Sequence, residues 1–259
     1  MQAFDYSTPA SVADAVAQAK AGAKLIAGGQ SLLPSMKLGL ASYDAMADLG
    51  GIAELKGISV AGGVVKIGAM TTHAAVAASK DVQAAIPALA DLAGNIGDRQ
   101  VRNRGTIGGS LANNDPAACY PAAVLGLGAT VHTNQRSIAA DDFFKGLYTT
   151  ALAEDEVITA VSFPVPEKAG WQKFKQPASR FSLVGVFVSK GPQGVRVAVT
   201  GGGNGVFRAK ELEAKLAGSY SAAALAGATV SAAGLNSDLH GSAEYRAALI
   251  PVLAARAVG

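Results

Sequence analysis

Cysteine occurs once in this chain of 259 residues, at position 119. That excludes an internal disulfide. It also excludes an iron–sulfur cluster or a cysteine-rich zinc site held by this chain alone, because each needs several thiolate ligands. Histidine occurs three times, as His73, His132 and His240, far apart and without metal-ligand spacing. Aromatic residues make up only 6% of the chain, while alanine is abundant, so small-residue packing is expected. Charged residues make up 16% and form no block of like sign; the net charge of +3 comes from scattered Lys and Arg. Nucleic-acid binding therefore has little support. No stretch approaches the ~20 apolar residues of a membrane helix. The start, Met1-Gln-Ala-Phe-Asp-Tyr6, has neither a basic n-region nor an apolar h-region. A cytoplasmic protein without a membrane span is expected. Half of the residues are hydrophobic, which argues against disorder. The length allows one large domain or two modest ones.

Glycine is what the chain has in plenty, with 31 residues. The stretch Thr106-Ile-Gly-Gly-Ser-Leu-Ala-Asn-Asn-Asp115 combines two adjacent glycines with a hydroxyl, two amides and a carboxylate. Gly108 and Gly109 predict a sharp turn that admits close approach of a ligand. Successive N–H groups in such a turn would face an anion. Ser110, Asn113 and Asn114 add hydrogen-bonding side chains, and Asp115 an acceptor for ligand hydroxyls. Asp115 and Pro116 also fit the N-cap and first position of a helix. A second loop of the same make is Ala27-Gly-Gly-Gln-Ser31. Neither loop is a Walker A or Rossmann sequence, and either alone is read as a tight turn. Together they suit one ligand with two linked phosphates.

Residues 1–50 read as a small α/β unit. Thr8-Pro9 would open a helix carrying Val12, Ala15, Val16 and Ala19, closed by Gly22. Strands are expected at 25–27 and 43–49. Residues 57–70 read as a hairpin, and Thr71-Thr72 cap a helix with His73 in its first turn. His73 is read as a surface or packing residue. One helix is expected over 81–94. Arg99, Arg102 and Arg104 would face a phosphate or partner, or pair with Asp98. Residues 116–127 read as an apolar helix bearing Cys119, a small packing residue. Strands follow at 129–133 and 157–163. The two prolines of 164–170 mark a boundary. Beyond it, strands at 171–175, 182–189 and 195–200 predict an antiparallel sheet. A turn at 201–205, a charged helix at 211–216 and helices over 222–233 and 244–257 complete the chain.

With these motifs in view, the chain resembles the medium, FAD-binding subunit of the molybdenum hydroxylases. That group includes aerobic carbon monoxide dehydrogenase and the xanthine dehydrogenases. The resemblance rests on Ala27-Gly-Gly-Gln-Ser-Leu-Leu-Pro34 with Met36-Lys-Leu38, on Gly68-Ala-Met-Thr-Thr-His73, and on residues 102–118 around the second Gly-Gly pair. Pro177-Ala-Ser-Arg180 and Leu183-Val-Gly185 continue it in family order. Two departures are visible: Cys119 where an aspartate is common, and Phe181 where many members have tyrosine.

The resemblance implies an α+β protein. A two-lobed FAD-binding domain (PCMH-like) would span residues 1–165, with lobes of about 1–55 and 56–165. A smaller C-terminal domain of antiparallel sheet plus helices would span 166–259. FAD would be held by Ala27, Gly28, Gly29, Gln30, Ser31 and Leu32 from the first loop. Thr106, Ile107, Gly108, Gly109, Ser110, Asn114 and Asp115 would hold it from the second. Ile158 would meet the isoalloxazine, and Lys175 would lie near the ring. The implied function is electron transfer. A small subunit with two [2Fe–2S] clusters would pass electrons to this FAD from a large subunit carrying molybdopterin cofactor, and no acid–base or nucleophilic residue is assigned in this chain. FAD would deliver them to a quinone, NAD or oxygen. A dimer of heterotrimers is the expected assembly. The other readings are a stand-alone flavin oxidoreductase of the same fold and a nucleotide-binding module without redox work.

Overall fold

The computed structural model describes residues 2–259. A small parallel sheet opens the chain, built from β1 (Asp5–Ser7), β2 (Lys24–Ile26) and β3 (Ala45–Asp48) in the order β1-β3-β2. Helix α1 (Val12–Lys20) connects β1 to β2. Its cap is Ser11, not the expected Thr8, because Ser11 is the residue whose hydroxyl reaches the Asp14 N–H at the start of the apolar stripe. Gly22, at φ +96°, follows the helix end as its spacing implied. Helix α2 (Leu32–Lys37) follows the first Gly-Gly loop.

A five-stranded antiparallel sheet comes next. Its first pair, β4 (Ile58–Ala61) and β5 (Val64–Gly68), is the expected hairpin. Four short helices follow: α3 (His73–Ala78), α4 (Lys80–Ala85), α5 (Pro87–Gly94) and α6 (Arg99–Arg104). The single helix expected over 81–94 is broken at Ile86, because Pro87 disfavours helical backbone in the residue before it and starts a new helix itself. Then come α7 (Ile107–Asn113) and α8 (Tyr120–Leu127). The remaining elements are β6 (Thr130–Thr133), β7 (Ser137–Ala139), α9 (Ala140–Phe143), the small hairpin β8 (Phe144–Gly146) with β9 (Thr149–Thr150), and β10 (Ile158–Pro164). The sheet order is β4-β5-β10-β6-β7. Every residue of α8 is buried, which marks it as a core helix rather than a surface one.

The last sheet is antiparallel: β11 (Lys168–Lys175), β12 (Ser182–Gly191), β13 (Gly194–Thr200) and β14 (Phe207–Arg208). Eight consecutive residues of β12, from Ser182 to Ser189, are buried, as a central strand covered on both faces requires. Helix α8 packs on β12 and β13, and α11 (Ala243–Val258) on β11 and β12, with α10 (Lys210–Gly218) against β13. Between α10 and α11 only a short 3-10 turn, Ala222–Leu225, forms where a helix over 222–233 was expected. Gly227, in the left-handed region at φ +66°, and the β-branched pair Thr229-Val230 stop it.

One buried guanidinium ties these layers. Arg196 of β13 donates from Nε to Leu125 O of α8 at 2.8 Å and from Nη2 to both Asp141 carboxylate oxygens of α9 at 2.7 Å. Replacing it would leave the Asp141 carboxylate without its bidentate partner and Leu125 O with only the Gly128 N–H as donor. Arg196→Leu is expected to lower stability by about 1–3 kcal/mol. Urea unfolding checks this: the midpoint should fall while the slope stays constant.

Candidate functional site

Two glycine-bearing segments, far apart in sequence, meet at a cleft of about 600 Å³. A Cβ built on Gly28 would fall 2.2 Å from Arg104 O and 2.7 Å from Gly105 Cα. Glycine is therefore required there for close backbone approach. A Cβ on Gly109 would lie 3.1 Å from Ala27 Cβ, so the segments also touch one step further along. Gly108 is pressed against β5's outlet: its Cβ would meet Ala69 Cβ at 2.6 Å and Ala69 O at 2.8 Å. The expected turn at Gly108-Gly109 is instead the first turn of α7, and neither glycine has positive φ. Thr106 caps that helix, its Oγ1 accepting from the Gly109 N–H at 3.2 Å.

The two segments differ in what they offer. In the second, Gly108 N–H donates to Ala69 O at 2.8 Å and Ile107 N–H to Thr71 O at 3.2 Å. Those donors are spent on fixing the segment. In the first, among the described residues, the N–H groups of Gly29, Gln30 and Ser31 have no acceptor. Gly29 sits at φ +71°, in the left-handed region that glycine adopts without strain. Free anion-seeking donors thus lie on one loop, and the other braces it.

Of the residues expected at a cofactor, Ala27, Gly28, Gly29, Gln30, Ser31 and Leu32 line the cleft. So do Thr106, Gly108, Gly109, Ser110, Asp115 and Ile158. Three do not. Ile107 is fully buried in the core, since its side chain lies on the inner face of α7. Asn114 turns away: its Nδ2 donates to Gly146 O at 2.9 Å and Thr149 O at 2.8 Å, clamping the β8–β9 hairpin. Lys175 lies outside because the β11–β12 register shifts between Phe174 and Lys175. Lys173, before that shift, lines the cleft instead, its Nζ 2.9 Å from Asn95 O and 3.4 Å from Cys119 Sγ.

Asp115 does not cap α8, which begins at Tyr120. Its Oδ1 accepts from the Ala117 N–H at 2.8 Å, a local turn that holds the carboxylate. Its Oδ2 accepts from Tyr148 Oη at 3.3 Å. Burial and the Asp115 charge raise the Tyr148 hydroxyl above its ordinary range, so it stays a donor. Cys119 sits before α8 and is buried. Arg102 points its Nη1 at Ile96 O and Gly97 O, at 2.9 and 3.0 Å, while Asp98 caps α6 through the Val101 N–H. Of the two readings of His73, surface or packing, the structure shows packing: it is buried beside Tyr120, and burial, then Arg102, lower its imidazole to about 4. It is neutral at physiological pH. Sequence reasoning missed Tyr148 and Lys173; no motif surrounds either one. Among the described residues no cluster of His, Cys, Asp or Glu could hold a metal, and no helix is long and apolar enough to cross a membrane.

The model of the FAD binding domain in molybdopterin dehydrogenase matches residues 2–166. The chain belongs to this family. It is 37% identical to the nicotine 6-hydroxylase medium subunit of Paenarthrobacter nicotinovorans, covering 100% of this chain and 97% of that one. It is 36% identical to the carbon monoxide dehydrogenase medium chain of Hydrogenophaga pseudoflava, covering 98% and 96%. Among solved structures, reconstituted CO dehydrogenase from Oligotropha carboxidovorans superposes with a TM-score of 0.91 at 35% identity, covering 99% of this chain and 96% of that one. FAD is the cofactor of this family domain, and the cleft fits it. The volume lies within the usual range for a ligand site, the free N–H groups suit phosphate oxygens, and Asp115 suits hydroxyls.

Two tests follow. Gly28→Ala should force the segments apart and cut bound flavin per chain at least tenfold, read from visible absorbance, while circular dichroism stays unchanged. The second concerns Glu156, buried at the cleft wall. It accepts from Arg136 Nε at 2.9 Å, Thr133 Oγ1 at 2.7 Å and the Ala153 N–H at 3.0 Å. The Arg136 hydrogen bond leads in holding its carboxyl down at about 2. A lowered folded-state value means stability that is present above the unfolded value of about 4.5 and lost as pH falls toward 2. Glu156→Gln should flatten that acid limb in melting temperature measured against pH.

Proposed function

We propose that this chain is the FAD-binding electron-transfer subunit of a molybdenum-containing hydroxylase or dehydrogenase. The observation that carries the reading is the convergence of the two glycine segments on one cleft, in a chain of this family. FAD, when bound, would supply the redox chemistry that links a one-electron donor to an external acceptor. The protein's part is to hold and orient. Gly29, Gln30 and Ser31 present N–H groups to the pyrophosphate, with Thr106, Gly108, Gly109 and Ser110 forming the facing wall. Asp115 accepts from cofactor hydroxyls, and the buried Ile158 gives an apolar surface to the ring. Lys173, rather than Lys175, lines the cleft, together with Lys24 and Arg180. No acid–base or nucleophilic group is needed for this work, and none is assigned.

Residues 1–55 and 56–165 would be the two lobes of the FAD domain, and 166–259 the C-terminal domain. The parallel sheet falls in the first, the five-stranded sheet in the second and the four-stranded sheet in the third. The partners would be a small [2Fe–2S] subunit and a large molybdopterin subunit, assembled as a dimer of heterotrimers in the cytoplasm. Names of relatives, such as the medium chain of carbon monoxide dehydrogenase, support a place in a multi-subunit complex. The test is reconstitution. The purified chain should release FAD, not FMN, on acid treatment. Its flavin should be reduced by the substrate of the complex only when the small and large subunits are added. Substrate-dependent reduction by the isolated chain would overturn the reading in favour of a stand-alone flavoenzyme.

A further inference from the structure

The geometry points to Tyr148 as a positioning residue that covers the bound FAD, held over the cleft by the Asn114 clamp. This rests on the FAD reading of the cleft and adds a residue that no motif marks. Among the described residues, positive φ at a residue other than glycine occurs three times, at Asn114, Tyr148 and Arg180. Tyr148 and Arg180 line the cleft, and Asn114 directly precedes Asp115, which also lines it. Backbone held in this region gathers at ligand clamps, where surrounding contacts over-determine it.

Tyr148, at φ +50°, occupies the second position of the two-residue tip between β8 and β9. A turn with positive φ there favours glycine, which would fit without strain. What tyrosine adds is a ring and a hydroxyl. The residue is more than half exposed, 58%, at the cleft wall, so it is not core packing. The hydroxyl donates to the one oxygen of Asp115 not engaged by the Ala117 N–H. The strained tip is fixed from below. Asn114 Nδ2 donates to the carbonyls of Gly146 and Thr149, the two residues flanking the tip. Asn114 is itself the left-handed C-cap of α7, whose first turn is the glycine wall of the cleft. Wall, clamp and cover are therefore one continuous unit, and the cover is indexed to the carboxylate that would bind cofactor hydroxyls.

The experiment compares FAD-loaded full-length chains of wild type, Tyr148→Phe, Tyr148→Gly, Asn114→Gly and the double glycine variant. Glycine suits positive φ at both positions, so the backbone is kept and only side chains are lost. Two quantities are read: the FAD dissociation rate, and quenching of bound-flavin fluorescence by iodide. Tyr148→Gly is expected to raise dissociation at least tenfold and to expose the flavin to iodide. Tyr148→Phe, which keeps the ring, should retain iodide protection and raise dissociation by no more than about threefold. Asn114→Gly should reproduce Tyr148→Gly, and the double variant should go no further, since the two act as one unit. The melting temperature of apo Tyr148→Gly should not fall. Unchanged dissociation and quenching in Tyr148→Gly would overturn the inference, as would additive effects in the double variant. If Asn114→Gly does not fold, the two Tyr148 variants decide. A wild-type chain that binds no FAD would instead overturn the functional reading.

Discussion

Backbone against backbone at Gly28 is the contact on which the site depends. The peptide of Arg104 and Gly105 lies where any side chain at position 28 would have to be. The loop after β2 and the junction between α6 and α7 are joined there without an intervening side chain. A spacer of one methyl would widen the cleft at its narrowest point. The consequence spreads because Gly105 also accepts from the His73 N–H at 2.9 Å, and Thr71 and Ala69 accept from the next residues. The second segment is thus stitched to β5 and α3 before any ligand arrives.

That stitching divides the work between two similar motifs. One is built as a wall, its donors satisfied within the protein. The other is built as a receptor, its donors unsatisfied within the protein. An electron-transfer protein needs this arrangement more than it needs reactive side chains. The cofactor brings the chemistry, and the fold must keep it in one place across many turnovers. The neutral His73 and the engaged Glu156 fit such a role. Both are removed from proton traffic, one by burial and the other by its Arg136 hydrogen bond.

Much of this was legible before the structure, and the reasons are local. The hairpin at 58–68 follows from alternation around Gly62-Gly63, and the antiparallel strands of the C-terminal sheet from their apolar runs. Glycine pairs marked both segments of the cleft because the need for a missing Cβ is written in residue type. What was not legible depended on three-dimensional neighbours. Whether an N–H is free or spent at Gly108 depends on Ala69, nearly forty residues earlier. Asn114 reads as a ligand amide in sequence, yet its partners are carbonyls of a hairpin more than thirty residues later. Lys175 and Lys173 are equivalent by alternation, and only the register shift at Phe174 separates them. The break at Pro87 was readable from proline chemistry, but the apolar pattern of 86–92 runs across it.

The single tryptophan has a use of a different kind. Trp171 stands on β11 of the C-terminal sheet, yet its side chain is buried in the apolar cluster shared with the five-stranded sheet and α8. It lies over Gly185, where a Cβ would fall 2.5 Å from the ring. The chain's only indole is therefore a built-in optical gauge of the seam between the C-terminal sheet and the flavin-side core. Its emission reports on that seam without any label, and energy transfer from it to a bound flavin would report distance across it. Loosening of one layer against the other becomes a spectral change in an otherwise tryptophan-free molecule.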